Sequence, residues 1–207
     1  MTESLRVVVP SRGRVPNMPL ILRLLPGATV FVDKREESEY AAVVPRNQLW
    51  LHESLPGLVA IRNWLNANVQ EDCLVMIDDD FRGVIPLMGK HRPITDPVVI
   101  AEVIANGHRV AEDLGISVFC WGRSLNNVLL KPEWDPFRLV GPISSSFGLR
   151  GAARSRRFDP ACEIREDLDF TMQTLLEDRI LLMEMRWYFD HGRIFSGRGG
   201  NVGLGKK

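Results

Sequence analysis

Close cysteine pairs are missing from this sequence. The three cysteines, Cys73, Cys120 and Cys162, are far apart and odd in number, which argues against a disulfide framework or a paired-thiolate zinc site and favours buried, reduced thiols. Net charge is missing as well. The 26 basic and 26 acidic side chains cancel, so the chain does not read as a general polyanion binder, although a local basic patch stays open to it. No apolar run approaches the roughly 20 residues that span a bilayer. The N-terminus goes directly into Leu5-Arg6-Val7-Val8-Val9 with no charged-then-apolar leader or cleavage site, and the expectation is a cytoplasmic protein without a membrane partner. A Gly-rich phosphate loop of the Walker type is also absent.

What is present is ordinary globular composition, 45% hydrophobic and 25% charged over 207 residues, enough for one domain with a sizeable core. The pattern alternates between strand and helix signals. Leu5 to Pro10 reads as a buried strand ended by a turn, Pro19 to Leu25 as a helix stopped by Pro26-Gly27, and Ala28 to Val32 as a second strand ending at Asp33. Ala41 to Val44 is a candidate third strand. Gly57 to Val69 has helical spacing, with Leu58, Ile61, Leu65 and Val69 on one face. Cys73 to Ile77 reads as a buried strand, Pro97 to Leu114 as a long helix and Gly115 to Trp121 as a strand. Further on, Ile143 to Leu149 and Ile180 to Phe189 read as extended, and 163–178 as a helix burying Phe170, Met172, Leu175 and Leu176. Strands separated by helices predict an α/β fold with a mostly parallel sheet, in which ligands bind beyond the carboxyl ends of the strands.

The most informative stretch is Leu74-Val75-Met76-Ile77-Asp78-Asp79-Asp80. Alternation along a strand puts Asp78 and Asp80 on one side and Asp79 on the other. Two carboxylates at a strand's carboxyl end make a half-site for Mg²⁺ or Mn²⁺, which prefer oxygen ligands. A bare acidic cluster would repel a diphosphate, and a divalent cation reverses the sign of that interaction. A solvated acidic loop or a phosphohydrolase carboxylate site are the competing readings.

Other residues carry two readings each. Arg62 suits a forked phosphate contact or an ion pair with Asp78 or Asp79; Arg12 and Arg14, in the turn after the first strand, have the same options. Glu166, Asp167 and Asp169 open a helix, where acids complement the macrodipole or serve as a general base toward an acceptor hydroxyl. Arg150, Arg154, Arg156 and Arg157 form a basic cluster, either a solvated loop or phosphate contacts to a nucleic-acid acceptor, with Arg193, Arg198, Lys206 and Lys207 able to extend it. Trp121, Trp134 and Phe147 are core aromatics or base-stacking platforms. His52, His91 and His108 have no context that marks them.

Three separated segments resemble the GT-A class of glycosyltransferases: Val7-Val8-Val9-Pro10-Ser11-Arg12-Gly13-Arg14, then the Gly57 to Trp64 helix followed by Met76 to Asp80, then Arg165-Glu166-Asp167-Leu168-Asp169. The Ser-Arg-Gly-Arg opening, the triple aspartate, the short length and Gly199-Gly200-Asn201 also resemble the bacteriophage TET-associated family, related to the base J glucosyltransferase. The resemblance implies a nucleotide-sugar donor, a UDP-sugar being favoured, held by Pro10, Ser11, Arg12, Arg14, Asp33, Arg62, Asp78 and Asp79. It further implies a Mn²⁺ or Mg²⁺ ion on Asp78, Asp80 and His191, and Asp167 as the base beside Glu166 and Asp169. The implied acceptor is a hydroxymethylated pyrimidine in phage DNA, and the implied outcome is inversion, with retention left open. On this view residues 1–80 form the donor half, 81–195 the acceptor half and 196–207 a Gly/Lys-rich tail. A saccharide, lipid or protein acceptor, a nucleotidyltransferase, and a catalytically silent interaction module are the alternatives.

Overall fold

The β-branched run after Leu5 forms the first strand, β1 (Leu5–Ser11), in which Val8 and Val9 are both fully buried. A strand covered on both faces has this continuous apolar character. The computed structural model describes residues 3–88, 92–122, 135–162 and 165–191. After β1 come α1 (Met18–Leu24), β2 (Thr29–Asp33), α2 (Glu37–Ala41), β3 (Leu49–His52), α3 (Gly57–Asn68) and β4 (Cys73–Ile77). The second half holds β5 (Phe81–Pro86), α4 (Pro97–Asp113), β6 (Val118–Gly122), β7 (Phe137–Arg138), β8 (Ser146–Arg150), α5 (Glu166–Glu177) and β9 (Leu182–His191).

The strands form one sheet in the order β3-β2-β1-β4-β8-β6-β9-β5, with β7 also paired to β9. The fold is α/β and the central sheet is mostly parallel: β3, β2, β1 and β4 run together, β8 runs against them, and β6 and β9 resume the first direction. The outer strands β5 and β7 are antiparallel to β9. Strand alternation divides the core in two. Val9, Val75 and Ile77 pack with α1 and α4 on one face, while Val8, Leu74 and Met76 pack with Val59, Leu65 and Phe170 from α3 and α5 on the other. Gly148 on β8 lets the Phe119 ring of β6 lie directly over the backbone, because a Cβ there would meet that ring at 2.1 Å.

Several expectations need correction. The candidate strand over Ala41 to Val44 is instead the end of α2 and a turn, with Val43 exposed and Val44 buried. Tyr40 explains this: its buried hydroxyl reaches back to Ser11 and Arg14, which fixes the chain in a helical turn. The third parallel strand is β3, in register with β2 from Val30↔Leu49 to Asp33↔His52. Helix α3 buries Val59, Arg62, Leu65 and Asn66, so its inner face is partly polar. In α5, Phe170 is buried but Met172 and Leu176 are 56% and 63% exposed. Thr171 and Thr174 take the inward positions instead, with each hydroxyl donating to the carbonyl one turn back. Of the cysteines, Cys73 and Cys120 are buried free thiols and Cys162 is half-buried. Among the described residues, no helix is long and apolar enough to cross a membrane.

Candidate active site

Strand β4 ends at Ile77, and the three aspartates form a turn closed by the Phe81 N–H donating to the Asp78 carbonyl. The chain then enters β5 on the far edge of the sheet, so the aspartates bridge the central strands and the β5–β9 ladder. Asp79 and Asp80 share Arg14, whose Nη1 reaches Asp80 Oδ2 at 3.3 Å, and otherwise the three carboxylates go to different partners.

Asp79 turns toward the loop after β1 and is buried. The Ser11 hydroxyl donates to its Oδ2 at 2.6 Å and Arg14 Nη1 donates to its Oδ1 at 2.7 Å. Ser11 in turn lies 2.7 Å from the Tyr40 hydroxyl, which accepts from the Arg14 N–H at 3.1 Å. Asn17 Nδ2 donates to the Asp79 carbonyl. Burial raises the Asp79 pKa above its ordinary value against the Ser11 and Arg14 contacts.

Asp80 points to the end of β9. Its Oδ1 is 3.0 Å from His191 Nδ1, and the other imidazole nitrogen, Nε2, lies 2.9 Å from the hydroxyl of buried Ser146. Ser146 on β8 is the partner of Ile77 in the ladder, so the residue that orients His191 is placed by the strand that carries the aspartates. Both imidazole nitrogens are thus engaged, and Ser146 and Asp80 between them fix the plane of the ring. Burial works to raise the Asp80 pKa, but the His191 hydrogen bond and the charges of His191 and Arg14 outweigh it, and the net shift is downward.

Asp78 keeps 39% side-chain exposure and has, among the described residues, one charged neighbour within ion-pair range, Arg62 at 4.0 Å. Loss of surrounding water raises its pKa, Arg62 and His191 oppose this, and Asp80 and Glu166 add to it. Arg62 is only 4% exposed. Its Nη1 donates to Glu166 Oε1 at 2.6 Å, and its guanidinium lies over the rings of Phe147 and Phe158 at 5.1 and 5.6 Å. Through Arg62, the first turn of α5 is tied to the aspartate turn.

The remaining residues are placed as follows. Asp167, half-buried beside Glu166, accepts from the Leu168 N–H. Asp169 accepts from Gln173 and from the Asp159 N–H; with Asp159 and Cys162 it forms a set whose potential ligand atoms lie within 4.8 Å of one another. Asp78, Asp80 and His191 are spread more widely than that. Pro10 is half-buried at the end of β1 and Arg12 is exposed in the turn that follows. Asp33 is gripped by the Arg35 side chain and N–H, which hold it well below the usual carboxylate range.

The arginine cluster faces mainly inward. Arg150 bonds Glu3 and the carbonyls of Ala111 and Ile116, and Arg154 bonds the carbonyls of Asn66, Val69 and Glu71. Arg156 bonds Glu177, Asp178 and Thr174, which leaves Arg157 as the exposed member of the four. Trp121 and Phe147 are fully buried core residues. His91, Trp134, Arg193, Arg198, Lys206, Lys207, the Gly199-Gly200-Asn201 segment and the 196–207 tail lie outside the described residues.

Neither family models nor curated proteins match this sequence. Solved structures do. A mannosyltransferase from Pyrobaculum calidifontis, in complex with GDP-Man and Mn²⁺, superposes with a TM-score of 0.58 at 15% identity over 89% of this chain. Glucosyl-3-phosphoglycerate synthase from Mycobacterium tuberculosis, with Mg²⁺ and uridine diphosphate, gives 0.57 at 12% identity over 92% of this chain. The fold is of the GT-A type. This chain spans 57% of the mannosyltransferase and 72% of the synthase. The same fold extends to nucleotidyl-transferring enzymes: a CMP-2-keto-3-deoxy-manno-octonic acid synthetase complexed with CTP gives 0.51 at 13% identity, covering 98% of this chain and 96% of its own.

Proposed function

We propose that the chain is a metal-dependent glycosyltransferase that moves a sugar from a nucleotide donor to a hydroxyl acceptor. The observation that supports this most is the meeting of Asp80 with His191, 111 residues later, at the carboxyl end of β4. Carboxylate oxygens and an imidazole nitrogen suit Mn²⁺ or Mg²⁺, and the imidazole is already oriented by Ser146. Asp78, Asp80 and His191 would hold the ion. Once bound, it would neutralise the charge that develops on the leaving nucleoside diphosphate.

The protein's own groups supply the rest. The β1 end, with Pro10, Ser11 and exposed Arg12, and the β2 end, with Asp33, flank the donor nucleotide, and Arg12 gives a cation for its phosphates. Asp167, in the first turn of α5, accepts the acceptor's hydroxyl proton as that oxygen attacks the anomeric carbon and the bond to the diphosphate breaks. Its positioning in the first turn of α5 carries much of the effect. A single displacement of this kind inverts the anomeric centre.

A hydroxymethylated pyrimidine in DNA, the acceptor implied by the sequence resemblance, finds one exposed member, Arg157, in the proposed arginine patch. A UDP-sugar donor likewise rests on resemblance. The test is a panel of nucleotide sugars with Mn²⁺ or Mg²⁺, offered DNA carrying 5-hydroxymethylcytosine or a pool of sugars, with nucleosides weighed by mass spectrometry. A hexose-sized gain that needs metal and Asp80 supports the DNA acceptor; metal-dependent release of nucleoside diphosphate without it keeps the transferase and discards DNA. Pyrophosphate release from a nucleoside triphosphate and a sugar acid or sugar phosphate would instead favour nucleotidyl transfer.

A further inference from the structure

Helix α3 presents a polar seam to the segment between β8 and α5. Asn63 Nδ2 donates to the Phe158 carbonyl while its Oδ1 accepts from the Phe158 N–H, and Asn66 Nδ2 donates to the carbonyls of Ala153 and Arg156. Arg62 belongs to this seam but differs from its neighbours in carrying a charge, and it faces two acids that come from the two halves of the chain. Glu166 takes its hydrogen bond at 2.6 Å, and Asp78 stands at 4.0 Å. A guanidinium beside a metal carboxylate competes with the metal, because both cations answer to the same negative charge. A buried guanidinium is also expensive to leave without a full partner. Glu166, 7% exposed and with its Oε1 on Arg62, answers both problems.

We infer that Glu166 is a positioning residue for the metal site: by holding Arg62 it keeps the guanidinium off Asp78 and leaves that carboxylate to a divalent cation. This rests on the proposed metal site and deepens it. Glu166 then has no proton to move, and the base role falls to Asp167 alone. Metal occupancy and the seating of α5 become linked. With a cation on Asp78, Arg62 would be left to Glu166, which holds the first turn of α5, where Asp167 sits.

The experiment is Mn²⁺ titration of the folded protein followed by electron paramagnetic resonance, with no donor or acceptor present. Glu166→Gln keeps a hydrogen-bond acceptor for Arg62 and removes the charge; it should weaken Mn²⁺ binding by about tenfold. Arg62→Gln, which removes the competing cation, should bind Mn²⁺ at least as tightly as the parent. The double variant, with its net charge restored, should return to within about threefold of the parent. A purely structural role would weaken binding in both single variants, and the double would not recover. Parent-like Mn²⁺ affinity in Glu166→Gln overturns the inference while leaving the metal site standing. A parent that binds no Mn²⁺ takes down the metal site itself. If Glu166→Gln does not fold, weaker binding in Arg62→Gln alone overturns the inference and tighter binding supports it.

Discussion

The aspartate run has two sides, and they are built on opposite plans. On the Asp79 side both carboxylate oxygens and the carbonyl are engaged: Ser11, Arg14, Asn17 and Tyr40 tie them to the loop after β1. On the other side Asp78 stays partly open beside Arg62, and Asp80 meets an imidazole oriented from behind. A cleft of about 260 Å³, lined by Asn17, Leu20, Asp79, Asp80, Phe81 and Arg82, opens beside the run toward α1. The difference teaches that three like residues in a row need not share one task. One fixes the turn, which leaves Asp78 and Asp80 to face the ligand edge.

The largest expected break between the sides comes from the open one. Asp80→Ala should cut metal-dependent turnover by more than about 100-fold, beyond the loss typical of a residue one step removed from a metal, while the melting temperature stays near that of the parent. Asp79→Ala should do the reverse first. It strands Arg14 with Asp80 alone and should cost roughly 2 kcal/mol of stability, a fall of about 4–8 °C in melting temperature by calorimetry. An unchanged melting temperature with lost metal binding would erase the distinction. Ser146→Ala leaves every proposed ligand in place and frees the imidazole, so Mn²⁺ affinity should drop by about tenfold in a direct titration.

The smallest effect is one of pH, and it separates carboxylates with structural duties from the rest. Burial raises the Asp178 pKa, but hydrogen bonds from Arg156 and Ser117 outweigh it, so the folded value lies below the ordinary 3.8. Its contribution to stability is therefore full above that value and fades as the pH falls through it. Asp178→Asn should flatten the acid limb of a stability-against-pH curve below about pH 4.

Much of the first half was legible because its signals were local. The run Val7-Val8-Val9, the stop at Pro26-Gly27 and the strand Cys73–Ile77 all form as periodicity predicts. Strand β3 was not, since Leu49-Trp50-Leu51 is too short to announce itself, whereas the apolar run nearby at Ala41 to Val44 is claimed by Tyr40 and its bond to Ser11. Nor was β5, whose Gly83 and Pro86 read as turn residues. At the site, the type of residue was readable and the partner was not. That Arg150, Arg154 and Arg156 are spent on carboxylates and carbonyls inside the fold depends on acceptors scattered from Glu3 to Asp178, and no spacing rule reports them. Ser146 carried no motif at all; its place opposite Ile77 became visible only in the ladder.

The ladder between β5 and β9 sets Phe81 directly across from His191, one residue after Asp80. Main-chain pairing, not the length of the intervening chain, therefore fixes how far the histidine stands from the aspartate. Loop-length changes elsewhere in the chain need not disturb that spacing. A one-residue slip in the pairing would swing the imidazole to the opposite face. The loops of the intervening segment can therefore change for a different acceptor, while β8, which carries Ser146, and the two ends keep the same grip.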